Sequence, residues 1–517
     1  MRITNYTRYI LLSLLIFVIA CGNKDDNAPP PPPVNPEMTV TSMLNPFTYN
    51  PLCAKLDIST NVDGKIQIEL IGQDGEASNI KHTFDDFSRE HSVPILGLYA
   101  DYENVVQVML LDENDNELLS ETIKITTDPL PEIFPEIIVD IRKLDKMEVG
   151  MNLVSYRGVL WPNIPYMIDA FGKIRWMLDY TNHPTLNELY YDVGIERLQN
   201  GNWYFGDKST QTIYEVDVYG EIVNSWSLAP YGFHHNVQEK PNGNFLVTAT
   251  NPNSTHTNGN PAVDDHILEI DRQTGAIIQV WDLKELLDEN RDALGQIQMG
   301  NNMNWAHVNS VIYDESDDCI IASLRNQGVC KLDKDNNIKW ILATHEGWTS
   351  NRQGDSLNDF LLTPLDATDS PITTPDDLNG FTNHADFEWS WFQHSPLVLP
   401  DGNLMLFDNG YRRNYNWSNK YSRAVVYDID EMAKTVRQVW QYGKERGEAT
   451  YAPAVSDVDW LPETGNVLFS PGWCVDNQGI KGGKIVEVNY ATKEVVWEVR
   501  LNGAVDFQFH RAERLEL

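Results

Sequence analysis

The sequence is short of positive charge: 39 Lys and Arg stand against 75 Asp and Glu, a formal charge of −36. Such a chain lacks the basic surface that releases counterions from a phosphate backbone, which excludes nucleic acid as a partner. It is equally unsuited to adsorb on an anionic membrane face. Cysteine is scarce too, five in 517 residues with no CxxC pair, which excludes a disulfide scaffold and a thiolate zinc site. Apolar runs are short; the longest, from Tyr9 to Ala20, cannot cross a bilayer by itself. What the chain does have is aromatic side chains, 15 Trp, 22 Tyr and 17 Phe, which favour strands over helices.

Residues 1–20 carry Arg2 and Arg8 ahead of that apolar run and end Val18-Ile19-Ala20-Cys21. This reads as a signal peptide and resembles a bacterial lipobox, which would make Cys21 the acylated first residue of the mature chain. Residues 21–37, with prolines from Pro29 to Pro33, read as an extended spacer behind the lipid. Lys24-Asp25-Asp26 looks like a lipoprotein surface-export signal. The expectation is a protein lipid-anchored to the outer membrane, facing the periplasm or the cell surface. Of the remaining cysteines, Cys319 and Cys330 flank a strand pair and are the expected bridge, with Cys53 and Cys474 free.

Residues 38–140 alternate in short strand-like runs, such as Ile66 to Leu70 and Val105 to Leu110, with a polar turn from Asp112 to Asn116. They predict a small N-terminal β-sandwich domain. Residues 141–517 repeat. One unit runs Asn200-Gly201-Asn202-Trp203, Ile213-Tyr214-Glu215-Val216-Asp217, then Gly220 to Trp226; the same order returns to Trp281, Trp340, Trp440 and Trp497, with a partial unit ending at Trp176. Six units of four strands with a periodic Trp predict an all-β fold, a six-bladed β-propeller.

The repeat register also points to a site. Counting back seven from the first-hairpin turn residues Asn242, Asp314 and Asp401 gives His235, His307 and His394. The same count gives Val193 and Ser456 elsewhere, so the histidine is not a general blade feature. Innermost strands begin at one mouth of the central channel, so three imidazoles should converge there. Arg325 ends the second strand of the His307 blade, and Asn309 lies two residues beyond His307 on the same strand face. A guanidinium and an amide near imidazoles suit a tetrahedral oxyanion. No acidic residue shares the histidine position, which weighs against a metal. Arg412 and Arg413 are weaker candidates, and His234, His345, His384 and His510 fall outside the register and read as structural or peripheral. Insertions at 251–265 and 351–380 are expected to shape the rim.

Phe233-His234-His235-Asn236 before Pro241-Asn242-Gly243-Asn244, Trp305-Ala306-His307-Val308-Asn309-Ser310, and Gln393-His394 before Leu406-Phe407-Asp408-Asn409-Gly410 resemble the bacterial arylsulfate sulfotransferases. Tyr421 to Val425, Arg511 to Arg514 and Asn45-Pro46-Phe47 are similar as well. The resemblance implies transfer of a sulfuryl group from a phenolic sulfate donor to a phenolic acceptor, with no cofactor and no nucleotide sulfate. It implies that His394 is transiently sulfated in a ping-pong cycle, that His307 and His235 are further catalytic histidines, and that Asn309 and Arg325 bind the sulfuryl group. A homodimer is among the assemblies it allows. Two other readings stay open on the residues alone: a non-catalytic surface propeller binding glycan or peptide, and a metal-dependent propeller hydrolase.

Overall fold

A computed structural model describes residues 34–157, 162–192, 194–295, 297–503 and 507–517. The expectations for residues 1–20, for Cys21 with most of the spacer, and for Val193 lie outside these residues.

Five strands form the N-terminal domain: β1 (Met38–Leu44), β2 (Ala54–Leu70), β3 (Ile80–Ile95), β4 (Glu103–Leu111) and β5 (Glu117–Thr126). The long β2 pairs with β3 along one edge; on the other edge its first half takes β1 and its second half β4. Register slips between Ser59 and Ile66 bend the ladder between the halves. Even-numbered residues of β2, Leu56, Ile58, Ile66, Ile68 and Leu70, face a core shared with Val106, Val108 and Leu110, the period of two that a half-buried strand requires. At the β4–β5 turn the Asp112 carboxylate accepts the Asn114 and Asn116 backbone N–H groups at 2.8 and 2.9 Å.

Six four-stranded antiparallel units follow among the described residues. Blades 2 to 6 have innermost strands at Glu196–Arg197, Gly232–Glu239, Val308–Asp314, His394–Val398 and Asp457–Leu461. Blade 1 combines Met151–Arg157, Tyr166–Ile168 and Ile174–Met177 with the last strand of the chain, Gln508–Leu515, which pairs with Met151–Arg157 and is innermost. The chain's end thus closes the ring. A cavity of about 160 Å³ on the axis is lined from every blade, by Glu196, Gln238, Ile312, Leu397, Asp459 and Arg511. The strand Glu136–Arg142, which straddles the boundary expected at 140, pairs with Val495–Asn502 as an added outer strand of blade 6.

The repeat motifs now have physical reasons. In five of the units the repeat Trp lies on the fourth strand and its indole N–H donates to the next blade: Trp226 to Arg272 O (2.7 Å), Trp281 to Asp333 O (2.9 Å), Trp340 to Glu431 Oε1 (2.9 Å), Trp440 to Tyr490 O (2.8 Å) and Trp497 to Ala170 O (3.0 Å). Truncating such a buried Trp costs about 3–5 kcal/mol. The repeated Glu accepts the turn Asn of its own blade, as in Asn202 to Glu215 (2.7 Å) and Asn244 to Glu269 (2.9 Å). The repeated Asp accepts two backbone N–H groups of the following turn, at Asp217 from Tyr219 and Glu221.

The expected Cys319–Cys330 bridge is absent: both thiols are free, as are Cys53 and Cys474. Cys319 lies across from Asp333, and Cys330 across from Ala322. The two are three ladder positions apart, beyond disulfide reach. Burial pushes both thiols up to about 12. The 351–380 insertion also departs from expectation in part: its Thr363–Pro364 runs parallel along the outer strand Thr435–Tyr442 of blade 5.

Candidate active site

At one channel mouth the innermost strands lose their regular alternation. In blade 3 the register slips between Phe233 and Val237, and His235 takes φ 58°. In blade 4 it slips between Val308 and Ser310, beside His307 at φ 50°. In blade 5 it slips between His394 and Leu397, with Phe392 at 61° and Ser395 at 49°. Left-handed backbone at non-glycine residues costs about 1–3 kcal/mol each, and bulges of this kind re-aim side chains at functional sites.

The result brings His235, His307 and His394 to the same mouth, all buried. The Nε2 atoms of His235 and His307 lie 2.9 Å apart, so one carries the hydrogen between them. Asn304 Nδ2 donates to His307 Nδ1 at 2.7 Å, which puts that hydrogen on His307 Nε2. His235 Nδ1 faces Asp192 Oδ2 at 3.5 Å. His394 stands apart from this pair, within Coulombic reach of Arg325, His510 and His235. Its Nδ1 meets two acceptors, Asn409 Oδ1 at 2.7 Å and Phe392 O at 3.1 Å. The Asn409 amide cannot turn around, because its Nδ2 donates to Ala452 O and Val455 O, both at 2.9 Å. His394 Nδ1 therefore carries the hydrogen, and Nε2 keeps its lone pair.

Burial is the largest influence on every one of these rings and favours the neutral form. It holds His394 and His234 down at about 3, and His235 and His307 well below the usual range. Arg325, lowered to about 10 by burial, remains a cation. Its guanidinium lies 4.5 Å over the Phe392 ring, its buried Nε has no hydrogen-bond partner, and among the described residues no carboxylate ion-pairs with it. Asn309 gives one amide hydrogen to Gln393 O at 2.8 Å, which ties blade 4 to the residue before His394 and leaves its second hydrogen available. Gln393 is itself clamped to Leu324 O and Gly328 O.

Two histidines read from the sequence as structural or peripheral belong to the cluster. The His234 ring centre is 4.0 Å from that of His235 and 4.9 Å from that of His307, and His510 lies 5.3 Å from His235. His234 would point away in a regular strand, but the bulge at His235 breaks the alternation. His510 sits on the innermost strand of blade 1, at a register slip between Phe509 and Ala512; that strand pairs with Met151–Arg157 and not with a strand next to it in sequence, so its blade offers no first-hairpin turn from which to count. Two acids were missed as well. Asp192 is held low: burial opposes this, but His235, Lys208 and His234 outweigh it. Asp264, delivered by the 251–265 insertion, is raised to about 6 by burial; it faces His234 Nδ1 at 3.3 Å and His307 Nδ1 at 3.5 Å. By contrast His345 bonds Leu362 O and His384 is partly exposed, as expected of peripheral residues. Arg413 is a buried structural cation, 2.8 Å from Asp408.

The chain matches two family models, "Arylsulfotransferase (ASST)" over residues 138–510 and "Arylsulfotransferase Ig-like domain" over residues 41–128. It is 30% identical to "Arylsulfate sulfotransferase AssT" of Escherichia coli O6:H1 and to the protein of the same name from Lelliottia amnigena, in both cases over 88% of this chain and 89% of the relative. A solved virginiamycin B lyase from Staphylococcus aureus is similar over 71% of this chain and 100% of its own, with a TM-score of 0.32 at 10% identity, too weak to bear on fold or function. With both family models matched and full-length relatives aligned across propeller and N-terminal domain alike, this chain belongs to the arylsulfotransferase family.

Proposed function

We propose that this enzyme moves a sulfuryl group from a phenolic sulfate ester to a phenolic acceptor through a covalent intermediate on His394 Nε2. The observation that carries the reading is the tautomer lock on His394: two acceptors at Nδ1 leave Nε2 as a neutral, buried nucleophile near Arg325. In the first half-reaction the Nε2 lone pair attacks sulfur and forms the N–S bond. The S–O(aryl) bond breaks, and the leaving phenolate takes a proton. In the second, the acceptor phenol gives up its proton as its oxygen attacks sulfur, and the N–S bond breaks to return the imidazole. The His307–His235 pair, holding one proton between its Nε2 atoms and backed by Asn304 and Asp192, is suited to supply that proton and to recover it. Charge accumulating on the sulfuryl oxygens meets the Arg325 guanidinium and the free hydrogen of the Asn309 amide.

Incubation with p-nitrophenyl sulfate and phenol tests the reading. Nitrophenol release that depends on phenol is expected, with parallel-line kinetics and acid-labile, base-stable label on the protein. His394→Asn should abolish both the turnover and the label. Persistence of either would remove His394 from the role. Release without acceptor would indicate a sulfatase instead.

A further inference from the structure

The same mouth contains an arrangement that extends beyond the His307–His235 pair. One ring nitrogen each from His234, His235 and His307 lie within 4.8 Å of one another, all three residues buried. His234 is 4% exposed, yet neither of its ring nitrogens makes a hydrogen bond. Each of the three also has a carboxylate near Nδ1: Asp264 Oδ1 3.3 Å from His234, Asp192 Oδ2 3.5 Å from His235, and Asp264 Oδ2 3.5 Å from His307. A carboxylate behind Nδ1, orienting the ring and leaving Nε2 as the donor atom, is the usual support of a metal-bound imidazole.

We propose that His234, His235 and His307 form a binding site for a borderline divalent cation of the zinc class, with the fourth tetrahedral position open to water. Neutral imidazoles are the preferred ligands of such ions, and three of them without a thiolate or bidentate carboxylate disfavour calcium and magnesium. For the His235–His307 pair the fit requires little movement. Zn–N bonds of about 2.0–2.1 Å at a tetrahedral angle separate two ligand nitrogens by about 3.3 Å. His235 Nε2 and His307 Nε2 stand at 2.9 Å, so the rings part by about 0.4 Å. The hydrogen now between them moves to His307 Nδ1, where Asn304 can accept it by turning its amide: Asn304 Oδ1 is buried and without a partner. The step therefore shifts a proton within one imidazole and needs no other reactant. His394, held by Asn409 and outside the ligand set, is not a ligand. On the proposed function, occupancy withdraws the His307–His235 proton carrier, so zinc inhibits and a chelator restores transfer.

The test measures binding directly and so stands whether or not the transfer reading does. Metal-free full-length protein is titrated with Zn2+ by calorimetry, and with Co2+ by visible absorption. The expected result is one ion per chain with the strong visible bands of tetrahedral Co2+. His234→Asn, which keeps a polar side chain of near ring size, should abolish the tight site, and Asp264→Asn should weaken it about 10-fold or more. His384→Ala, at the partly exposed peripheral histidine, should leave it unchanged, as should His394→Asn. Equal affinity in His234→Asn and the parent chain, octahedral Co2+ spectra, or absence of binding at micromolar zinc would each overturn the proposal.

Discussion

The lock on His394 can be tested by changing one atom. Asn409→Asp keeps an oxygen 2.7 Å from His394 Nδ1 but replaces the amide NH2, which satisfies Ala452 O and Val455 O, with a second carboxylate oxygen. Two consequences follow. Two carbonyls lose their donor, at about 1–3 kcal/mol for each buried group left unpaired. More diagnostically, an anion now adjoins an imidazole that burial holds at about 3. An opposite charge at this distance moves a titration by about 1–3 units, or about 1.4–4 kcal/mol, toward the imidazolium. On the proposed function the nucleophile needs the neutral ring, so activity is lost as pH falls through the His394 value. The acid limb of kcat/KM should therefore rise by about 1–3 units in the variant. Asn409→Leu, which removes an acceptor that raises the His394 value, should lower kcat about 10–100-fold and move the limb the other way, to lower pH. The assay is nitrophenol release with phenol present, quenched in alkali, from pH 2.5 to 8, with circular dichroism at each pH to identify unfolded samples. Ring 15N shifts of His394 should report Nδ1–H at neutral pH in the parent chain and a titrating ring in Asn409→Asp. Coincident acid limbs in folded samples of the two proteins would refute the lock.

Arg325→Ala should lower kcat/KM about 10²–10³-fold, the usual cost of removing one preorganised donor to developing charge, while its melting temperature changes little because no described carboxylate ion-pairs with it; a loss under tenfold refutes its role. Asp459, in the axial cavity, is raised to about 7 by burial and then by Glu513. Between pH 4.5 and 6.5 the folded state holds its proton and the unfolded state does not, so this group alone makes stability fall as pH rises, by about 1.4 kcal/mol per unit. His234 and His394 act in the opposite sense over that window, because only the unfolded state protonates them. Asp459→Asn should therefore steepen the rise of stability with pH by about 1.4 kcal/mol per unit, measured by urea melts at pH 4.5, 5.5 and 6.5, and parallel profiles would refute the assignment.

Much of the architecture was legible because a propeller repeats its constraints. Trp, Glu and Asp each satisfy a neighbour-blade or turn hydrogen bond that recurs in successive units, so their spacing survives loop insertions. The His235, His307 and His394 register was legible for the same reason. What escaped detection depended on departures from periodicity. His234 enters the site through a bulge that period-two reading cannot anticipate. His510 lies on the strand that closes the ring, torn from its blade's sequence order. Asp192 and Asp264 come from loops, where position follows from folding and not from spacing. Asn409 stood in plain view within Leu406 to Gly410, but its role depends on two carbonyls more than forty residues away. The cysteine expectation failed because flanking a strand pair says nothing of register: three ladder steps separate the two thiols.

The burial of the histidines alters how the acidic chain can receive an anion. Counted as possible cations, three or more imidazoles with Arg325 would offset the −36 charge locally. Burial instead keeps them neutral through the physiological range, which leaves Arg325, with Lys208 held 3.7 Å from Asp192, as the positive charge at the cluster. This is what the proposed chemistry asks for. A protonated His394 would have no lone pair to attack sulfur, and a cluster of imidazolium ions would hold the sulfate ester in its ground state as firmly as in transfer. Neutral rings with fixed hydrogens act directionally, and one guanidinium with an unspent Nε supplies charge where the transferring group must pass. Attraction over distance is then weak, and the selectivity for the anion resides in the last few ångströms, inside the mouth, where the dielectric is low and the donors are already in place.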